Sequence, residues 1–197
     1  MSPELELKLV EKYPKLLRDY RGDPKVTCMS FGIETNGDGW YQIIDHLLGY
    51  LTNLMETPLH INYTQEYKEQ HREDKDYYQN HCSYKLKPPQ IVLDQVKSKY
   101  ANLRCYYHTD LIEEIPEEIR LDLDSDDLQK KLERYNDKID FAIDYAEYQS
   151  SVTCEVTGKE GKLYTKGWYR VLSDEEAIKL GYDPKEGSNV GLTVEEY

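Results

Sequence analysis

Apolar residues recur at helical spacing in three stretches of the chain, and such stripes must face a core. The first follows Ser2 and Pro3, which suit an N-cap and a first helical turn, and it predicts a helix over residues 3–13. The third predicts the longest helix, ending near residue 150. The second, after a turn at 36–39, consists of Trp40, Ile43, Ile44, Leu47, Leu48 and Leu51. Three core-facing helices are therefore expected.

The turn before the second helix reads N-G-D-G at 36–39. Glycine after Asn or Asp is typical of turns that need a positive φ, because glycine has no Cβ to clash. Asp38 is predicted to cap the helix, its carboxylate accepting from amides of the first turn. An alternative hypothesis places Glu34, Asp38 and His46 in one pocket that binds a metal ion or transfers protons.

Runs of β-branched and aromatic residues predict strands elsewhere. The expected strands are residues 60–63, 103–107, 154–156 and 163–171. A hairpin is predicted to turn at 158–161, and the apolar spacing over 91–100 predicts a short amphipathic helix. The expected fold is α+β, a helix-rich single domain with a small antiparallel sheet and a C-terminal β-hairpin.

The length of 197 residues suits one domain, which we assign to residues 1–181. Residues 64–82 are almost entirely polar with both charge signs, which predicts a solvated arm or insertion. Ser173 is predicted to cap a short helix that stops at Gly181. Residues 182–197, rich in glycine and acids, are predicted to form a loosely held tail.

The formal net charge is −13, which repels nucleic acid and anionic membranes, so direct binding to either is not expected. No apolar run approaches the roughly 20 residues of a membrane span. The first residues also lack the pattern of a signal peptide. The four cysteines are scattered and form no C-x-x-C pair, so no disulfide framework is expected. These features predict a cytoplasmic protein.

Tyrosine is unusually frequent, with 19 Tyr against 2 Phe. Its apolar ring and polar hydroxyl suit half-exposed surfaces and interfaces better than dry cores. An acidic, tyrosine-rich surface that binds a partner is therefore predicted. The alternative explanation is a bias towards A/T-rich codons, which also enriches tyrosine.

The most acidic stretch is residues 110–127, called the acidic segment below, with nine carboxylates and one base, Arg120. A calcium loop is disfavoured because Asp127 stands where such a loop needs glycine. An alternative explanation is an acidic first turn favoured by the dipole of the following helix. The residues predicted to bind a basic protein surface are Glu113, Glu114, Glu117, Glu118, Asp122, Asp124, Tyr106 and Tyr107.

The sequence contains no Gly-rich phosphate loop, H-E-x-x-H or G-x-S-x-G motif. We therefore predict no catalytic residue, no cofactor and no metal site. Structural zinc sites are normally built from close pairs of ligands, and here only His81 and Cys82 are adjacent, an arrangement in which both residues rarely bind one ion. A metal site that uses Cys28, Cys82 or Cys154 is left open.

Four longer motifs occur together in the chain. They are YPKLL at 13–17, FGIE-x-x-GDGW at 31–40, V-K-x-K-Y-x-N-L-R-x-Y-Y at 96–107 and CEV-x-GK-x-GKL-x-TKGW at 154–168. Together they resemble an uncharacterised family of small proteins encoded by tailed phages and prophages. The resemblance implies a viral protein that acts in the cytoplasm of the host cell.

The resemblance also implies a zinc-ribbon-like C-terminus, since members of the family often carry C-x-x-C and a later Cys and His there. In this chain Thr157, Ser173 and Glu176 occupy three of those positions and only Cys154 remains. These four residues cannot form a tetrahedral zinc site. We expect packing and hydrogen bonds to replace the metal.

Three functions fit these features. The first is a non-catalytic inhibitor that binds and blocks a host defence or nucleic-acid-handling protein through an acidic, tyrosine-rich surface. The first alternative is a sponge that sequesters a nucleotide signalling molecule on aromatic rings beside a cation. The second alternative is an enzyme with a Cys/His or metal site. The residues predicted for a nucleotide pocket are Glu34, Asp38, Trp40, Tyr41, Trp168 and Arg170, with Tyr169 and Arg104 as further candidates.

Overall fold

The computed structural model describes residues 1–74, 83–112 and 114–189. The α-helices are α1 (Pro3–Lys12), α2 (Tyr41–Glu56), α3 (Gln65–Gln70), α4 (Glu117–Arg120), α5 (Ser125–Ser151) and α6 (Asp174–Lys179). The β-strands are β1 (Ile33–Glu34), β2 (Leu59–Asn62), β3 (Ser83–Leu86), β4 (Ile91–Lys99), β5 (Asn102–Thr109), β6 (Lys162–Tyr164) and β7 (Arg170–Leu172). Short 3₁₀ helices lie at Cys28–Phe31 and Pro184–Glu186.

The main core lies between helices α1, α2 and α5 and a three-stranded sheet in the order β1-β4-β5. Strand β1 is parallel to β4, and β4 is antiparallel to β5. The stripe predicted for α2 lies in this core, with Trp40, Ile44 and Leu48 fully buried. Buried apolar surface of this kind is the main driving force of folding. The predicted α+β fold is confirmed.

Residues 91–99 form strand β4 and Tyr100 begins the turn after it, so the prediction of an amphipathic helix over 91–100 was wrong. The strand contains a bulge between Leu93 and Gln95, which inserts one extra residue into the alternation. Leu93 and Val96 are both fully buried although they are three residues apart. The bulge therefore produces the spacing of a helix within a strand.

The C-terminal unit, residues 154–188, contains strands β6 and β7, which form the predicted antiparallel hairpin. The turn of this hairpin lies at 165–169, so the prediction of a turn at 158–161 was wrong. Residues 154–156 do not form a strand, because the amide of Gly158 donates to the carbonyl of Cys154 at 2.9 Å and closes a turn. Helix α6 follows, with the Ser173 hydroxyl accepting from the amide of Glu176 as predicted for a cap.

Residues 182–188, which were predicted to belong to a loosely held tail, are attached to this hairpin. The amide of Ser188 donates to the carbonyl of Leu163 and the amide of Leu163 donates to the carbonyl of Ser188, both at 2.9 Å. Residues 190–197 of that tail and residues 75–82 of the polar arm lie outside the described residues. Residues 65–70 of the arm form helix α3.

The N-G-D-G turn at 36–39 packs tightly against the C-terminal unit. A Cβ on Gly37 would lie 2.6 Å from the carbonyl oxygen of Glu155, and one on Gly39 would overlap the carbonyl oxygen of Cys154. Neither glycine has a positive φ, so close approach of two backbones, and not φ, requires them. The predicted cap was also wrong: Trp40 is the N-cap of α2. The Asp38 carboxylate accepts instead from the amide of Ser2 at 2.6 Å.

None of the helices in the described ranges combines the length with the apolar character that crossing a membrane requires.

Candidate functional site

The acidic segment covers a second, smaller core. Its isoleucines at 112, 115 and 119 pack with Leu123 on Ile61 of β2 and Leu86 of β3. The amide of Thr64 donates to the carbonyl of Asp122 at 2.8 Å and the amide of Asp124 donates to the carbonyl of Asn62 at 2.9 Å, so backbone bonds attach the segment to the β2–β3 sheet. Glu114, Glu117 and Glu118 lie between these isoleucines and are exposed to solvent.

The carboxylates that were predicted to bind a partner differ in their surroundings. Glu114, Glu117 and Glu118 are exposed, and none of them forms an ion pair with another described residue. Asp122 is half-buried and is likewise without an ion pair among these residues. Glu113 lies outside the described residues.

Asp124 has a structural contact. Its carboxylate caps helix α5 by accepting from the amides of Asp126 and Asp127, each at 3.0 Å. The acidic first turn expected at the start of the longest helix is therefore present.

Two leucines on the acidic segment are exposed to an unusual degree. Leu111 is 95% exposed and Leu121 is 80% exposed. A depression of about 990 Å³ lies between Leu121 and Leu128, with Glu114 and Glu117 on its wall. Exposed apolar groups surrounded by charges are typical of surfaces that bind another protein.

The two tyrosines predicted to belong to the same surface have other neighbours. The Tyr106 ring lies beneath the ammonium group of Lys97, 5.6 Å from the ring centroid. The Tyr107 hydroxyl donates to the Asp140 carboxylate of α5 at 2.8 Å. Burial and this hydrogen bond raise the pKa of Tyr107 to about 12. The tyrosines therefore contact a lysine and a helix, while the acidic segment exposes aliphatic side chains.

The residues predicted to form a nucleotide pocket are not all brought together. Trp40 is fully buried in the main core, and its indole N–H donates to the carbonyl of Thr153 at 2.9 Å. Tyr41 packs on the same core. Glu34 is exposed on β1, where it lies beside Lys97 of β4. Trp40 does not line a surface pocket.

Trp168 and Arg170 do share a surface depression. Three exposed aromatic residues, Tyr100, Trp168 and Tyr169, line adjoining depressions of about 620 and 520 Å³ together with Asn36 and Arg170. The rings of Tyr100 and Tyr169 meet edge to face with 6.4 Å between centroids. We call this site the hairpin-tip cleft, because the β4–β5 turn and the β6–β7 turn form its two walls.

A buried ion pair forms the base of the hairpin-tip cleft. Glu155 is fully buried and accepts from the Arg170 guanidinium, while its second oxygen accepts from the Asn36 amide at 3.1 Å. The same Asn36 amide donates to the Ser98 hydroxyl at 3.2 Å. These bonds connect the turn at 36–39 to both hairpins and hold Asn36 in place.

Tyr100, Lys99 and Asn36 were absent from the predicted pocket. The signal was present, since two residues between runs of strand-forming residues are typical of a hairpin turn. The incorrect helix over 91–100 concealed that turn. Arg104, the other cation considered for the pocket, forms an ion pair with Glu147 of α5.

Cys154 lies where the resemblance places a zinc ligand. Burial alone would raise the pKa of its thiol, but hydrogen bonds from the Thr157 hydroxyl and from the amides of Ser173, Thr157 and Val156 lower that pKa below its ordinary value. Thr157 and Ser173 therefore do meet around the sulfur. In the described part of the chain, no three His, Cys, Asp or Glu side chains are placed to hold a metal ion.

The other cysteines do not join Cys154. Cys28 is exposed and Cys105 is buried in the main core, where burial and the nearby Glu147 raise the pKa of its thiol to about 12. Cys82 lies outside the described residues.

Comparison of the chain with protein-family models, with curated proteins and with solved structures finds no match.

Proposed function

We propose that the protein is a phage-encoded, non-catalytic inhibitor whose acidic segment binds a basic surface of a host defence or nucleic-acid-handling protein. One observation carries the proposal. The exposed carboxylates of Glu114, Glu117 and Glu118 have no ion-pair partner among the described residues, and the same segment exposes Leu111 and Leu121.

Unpaired like charges repel one another and lower the stability of the folded chain. A surface rich in lysine and arginine relieves that repulsion and accelerates association by electrostatic steering. Nucleic-acid-binding proteins present such surfaces to the phosphate backbone. A row of fixed carboxylates can occupy them in place of phosphates.

The exposed leucines supply the second part of the interface. Buried apolar anchors carry much of the affinity in protein complexes, while charges on the rim mainly set the association rate and its salt dependence. Leu121 lines the same depression as Glu114 and Glu117, so one contact surface can supply both an apolar anchor and charges, and Leu111 lies ten residues earlier on the same segment. Truncating both leucines to alanine should therefore weaken binding and preserve its salt dependence.

The test compares two variants with the same change in net charge. One reverses the acidic segment (Glu114→Lys, Glu117→Lys, Glu118→Lys). The control reverses Glu11, Glu56 and Asp137 to lysine, because these residues are also exposed and without an ion pair among the described residues. Each protein is immobilised and used to capture partners from a bacterial lysate at low and high salt.

We expect the unmodified protein and the control to capture the same basic protein at low salt and to lose much of it at high salt. The acidic-segment variant should fail to capture it at either salt concentration. Capture that survives both the charge reversal and high salt would show that the acidic segment is not the contact surface.

A further inference from the structure

The hairpin-tip cleft exposes aromatic residues that the fold does not bury. Trp168 is 86% exposed and Tyr100 is 72% exposed, while Tyr169 is 49% exposed. Large apolar rings in such positions do not contribute to a core, and a cluster of them is typical of a binding site. The cleft joins three separate parts of the chain, which are the β4–β5 turn, the β6–β7 turn and Asn36.

The β4–β5 turn has an unfavourable sequence for its backbone. Lys99 pairs with Asn102, so the loop contains only Tyr100 and Ala101, with φ of 52° and 66°. Two-residue turns with both φ values positive strongly favour Asn-Gly, because side chains with a Cβ are strained there. A tyrosine in this position is therefore better explained by what its exposed ring contacts than by the turn itself.

Cations lie beside these rings in an otherwise acidic protein. The ammonium group of Lys99 lies 5.5 Å from the centroid of the Tyr100 ring. Lys97 lies two residues earlier on the same strand, over Tyr106. Neither lysine forms an ion pair in the part of the chain that the structure describes. Lys166, on the opposite hairpin, pairs with Glu186 at 3.2 Å.

Ring faces beside an unpaired ammonium group suit a ligand with an aromatic base and a phosphate. Bases stack on exposed tryptophan and tyrosine rings, and lysine contacts the phosphate as a point charge. The fixed Asn36 side chain at the base of the cleft has an oxygen with which it can accept from an amino group of a base. The depression of about 620 Å³ has the volume of a site for a small ligand.

We propose that the hairpin-tip cleft binds a small nucleotide, with its base stacked on Trp168 and Tyr100 and its phosphate contacted by Lys99. A small nucleotide is favoured over a long single strand because a net charge of −13 repels an extended polyanion. The inference does not depend on the acidic segment, which lies in a different part of the fold.

Tryptophan fluorescence gives a direct measurement. The chain has two tryptophans, and since Trp40 is fully buried, quenching by an added nucleotide reports on Trp168. The probes are nucleoside mono- and triphosphates, cyclic dinucleotides, and a single-stranded oligonucleotide longer than the cleft. We expect saturable quenching by at least one of the small nucleotides, and weaker or no quenching by the oligonucleotide.

Three variants and one control test the assignment. Lys99→Glu should weaken binding about tenfold or more, and Trp168→Ala should do the same when binding is measured by calorimetry. Phe141→Ala, which removes an exposed aromatic ring on α5 outside the cleft, is the matched control and should bind like the unmodified protein.

The third variant, Tyr100→Asn with Ala101→Gly, separates binding from folding. It replaces the turn with the favoured Asn-Gly pair, so it should fold at least as well and yet bind the nucleotide about tenfold more weakly. The proposal is overturned if no small nucleotide quenches Trp168, if these variants bind like the control, or if only the long oligonucleotide binds.

Discussion

The acidic segment and the hairpin-tip cleft are both exposed surfaces, but they are built in opposite ways. In the acidic segment the same residues that cover the second core also space the carboxylates, so folding explains most of the pattern. In the cleft, exposed rings stand on a strained turn beside lysines, and folding explains little. The net charge of −13 reflects the carboxylates of the first surface, but it gives no indication that lysines and exposed rings lie together in the second.

The largest expected effect concerns the buried ion pair beneath the cleft. Arg170→Met would leave the Glu155 carboxylate buried without its guanidinium, which should lower the free energy of unfolding by about 3 kcal/mol. The control is Lys166→Met, since Lys166 pairs with Glu186 at the surface and should contribute less than about 1 kcal/mol. Urea denaturation followed by circular dichroism measures both. Equal losses would show that Asn36 alone satisfies Glu155.

The second prediction concerns the core beneath the acidic segment. Leu123→Ala removes a buried side chain between the segment and the β2–β3 sheet and should cost about 2–3 kcal/mol. Leu121→Ala, two residues earlier and 80% exposed, should change the unfolding free energy by less than about 0.5 kcal/mol. Both values come from urea denaturation. If the two variants lose equal stability, the acidic segment is not packed on this core.

The third prediction concerns the stability that the protein loses through the strained β4–β5 turn of the cleft. Tyr100→Asn with Ala101→Gly should raise the unfolding free energy by about 1 kcal/mol. The turn keeps its positive φ values, but Asn and Gly adopt them with less strain than Tyr and Ala. In a chain of this size that gain corresponds to an increase in Tm of about 2–4 °C. A thermal melt measures it. A lower Tm would show that the Tyr100 ring stabilises the fold through Tyr169, and would remove the argument that it is retained for binding.

The sequence predicts those parts of the fold in which apolar residues recur at the regular spacing of a helix. The apolar stripes of α1, α2 and α5 are long and regular, so their periodicity alone identifies these helices. Strand β4 was missed because Ile91, Val92 and Leu93 are all fully buried, so the strand begins without the alternation of apolar and polar residues that identifies one. The bulge after Leu93 then disturbs the alternation further. Gly37 and Gly39 were identified as special for the wrong reason, since their close contact with residues 154–155 is a tertiary feature that no local pattern contains.

The candidate sites divide in the same way. The carboxylates of the acidic segment lie close together in sequence, so their clustering is visible before folding. The residues of the cleft come from positions as distant as Asn36, Lys99 and Trp168, and only the pairing of strands brings them together. Trp40 was included in the predicted pocket because aromatic character is visible in a sequence, whereas its burial depends on how α2 packs.

The smallest expected effect tests whether repulsion among the carboxylates of the acidic segment lowers the free energy of unfolding. Its charge-reversal variant (Glu114→Lys, Glu117→Lys, Glu118→Lys) is compared with a second control that reverses Asp137, Asp144 and Glu160 to lysine. These three residues are exposed, form no ion pair among the described residues and lie away from helix ends, so general repulsion falls equally in both variants and no helix dipole favours the control. The acidic-segment variant should gain a further few tenths of a kcal/mol, roughly 0.5, at low salt, because it also removes local repulsion.

That difference should disappear at high salt, where exposed charges are screened. Glu117 and Glu118 open helix α4, and the helix dipole opposes the gain, but α4 has only four residues and its dipole is small. Urea denaturation at two salt concentrations measures the difference. If the acidic-segment variant is instead less stable than the control at low salt, these carboxylates stabilise the fold, and their clustering no longer indicates a surface that is kept for a partner.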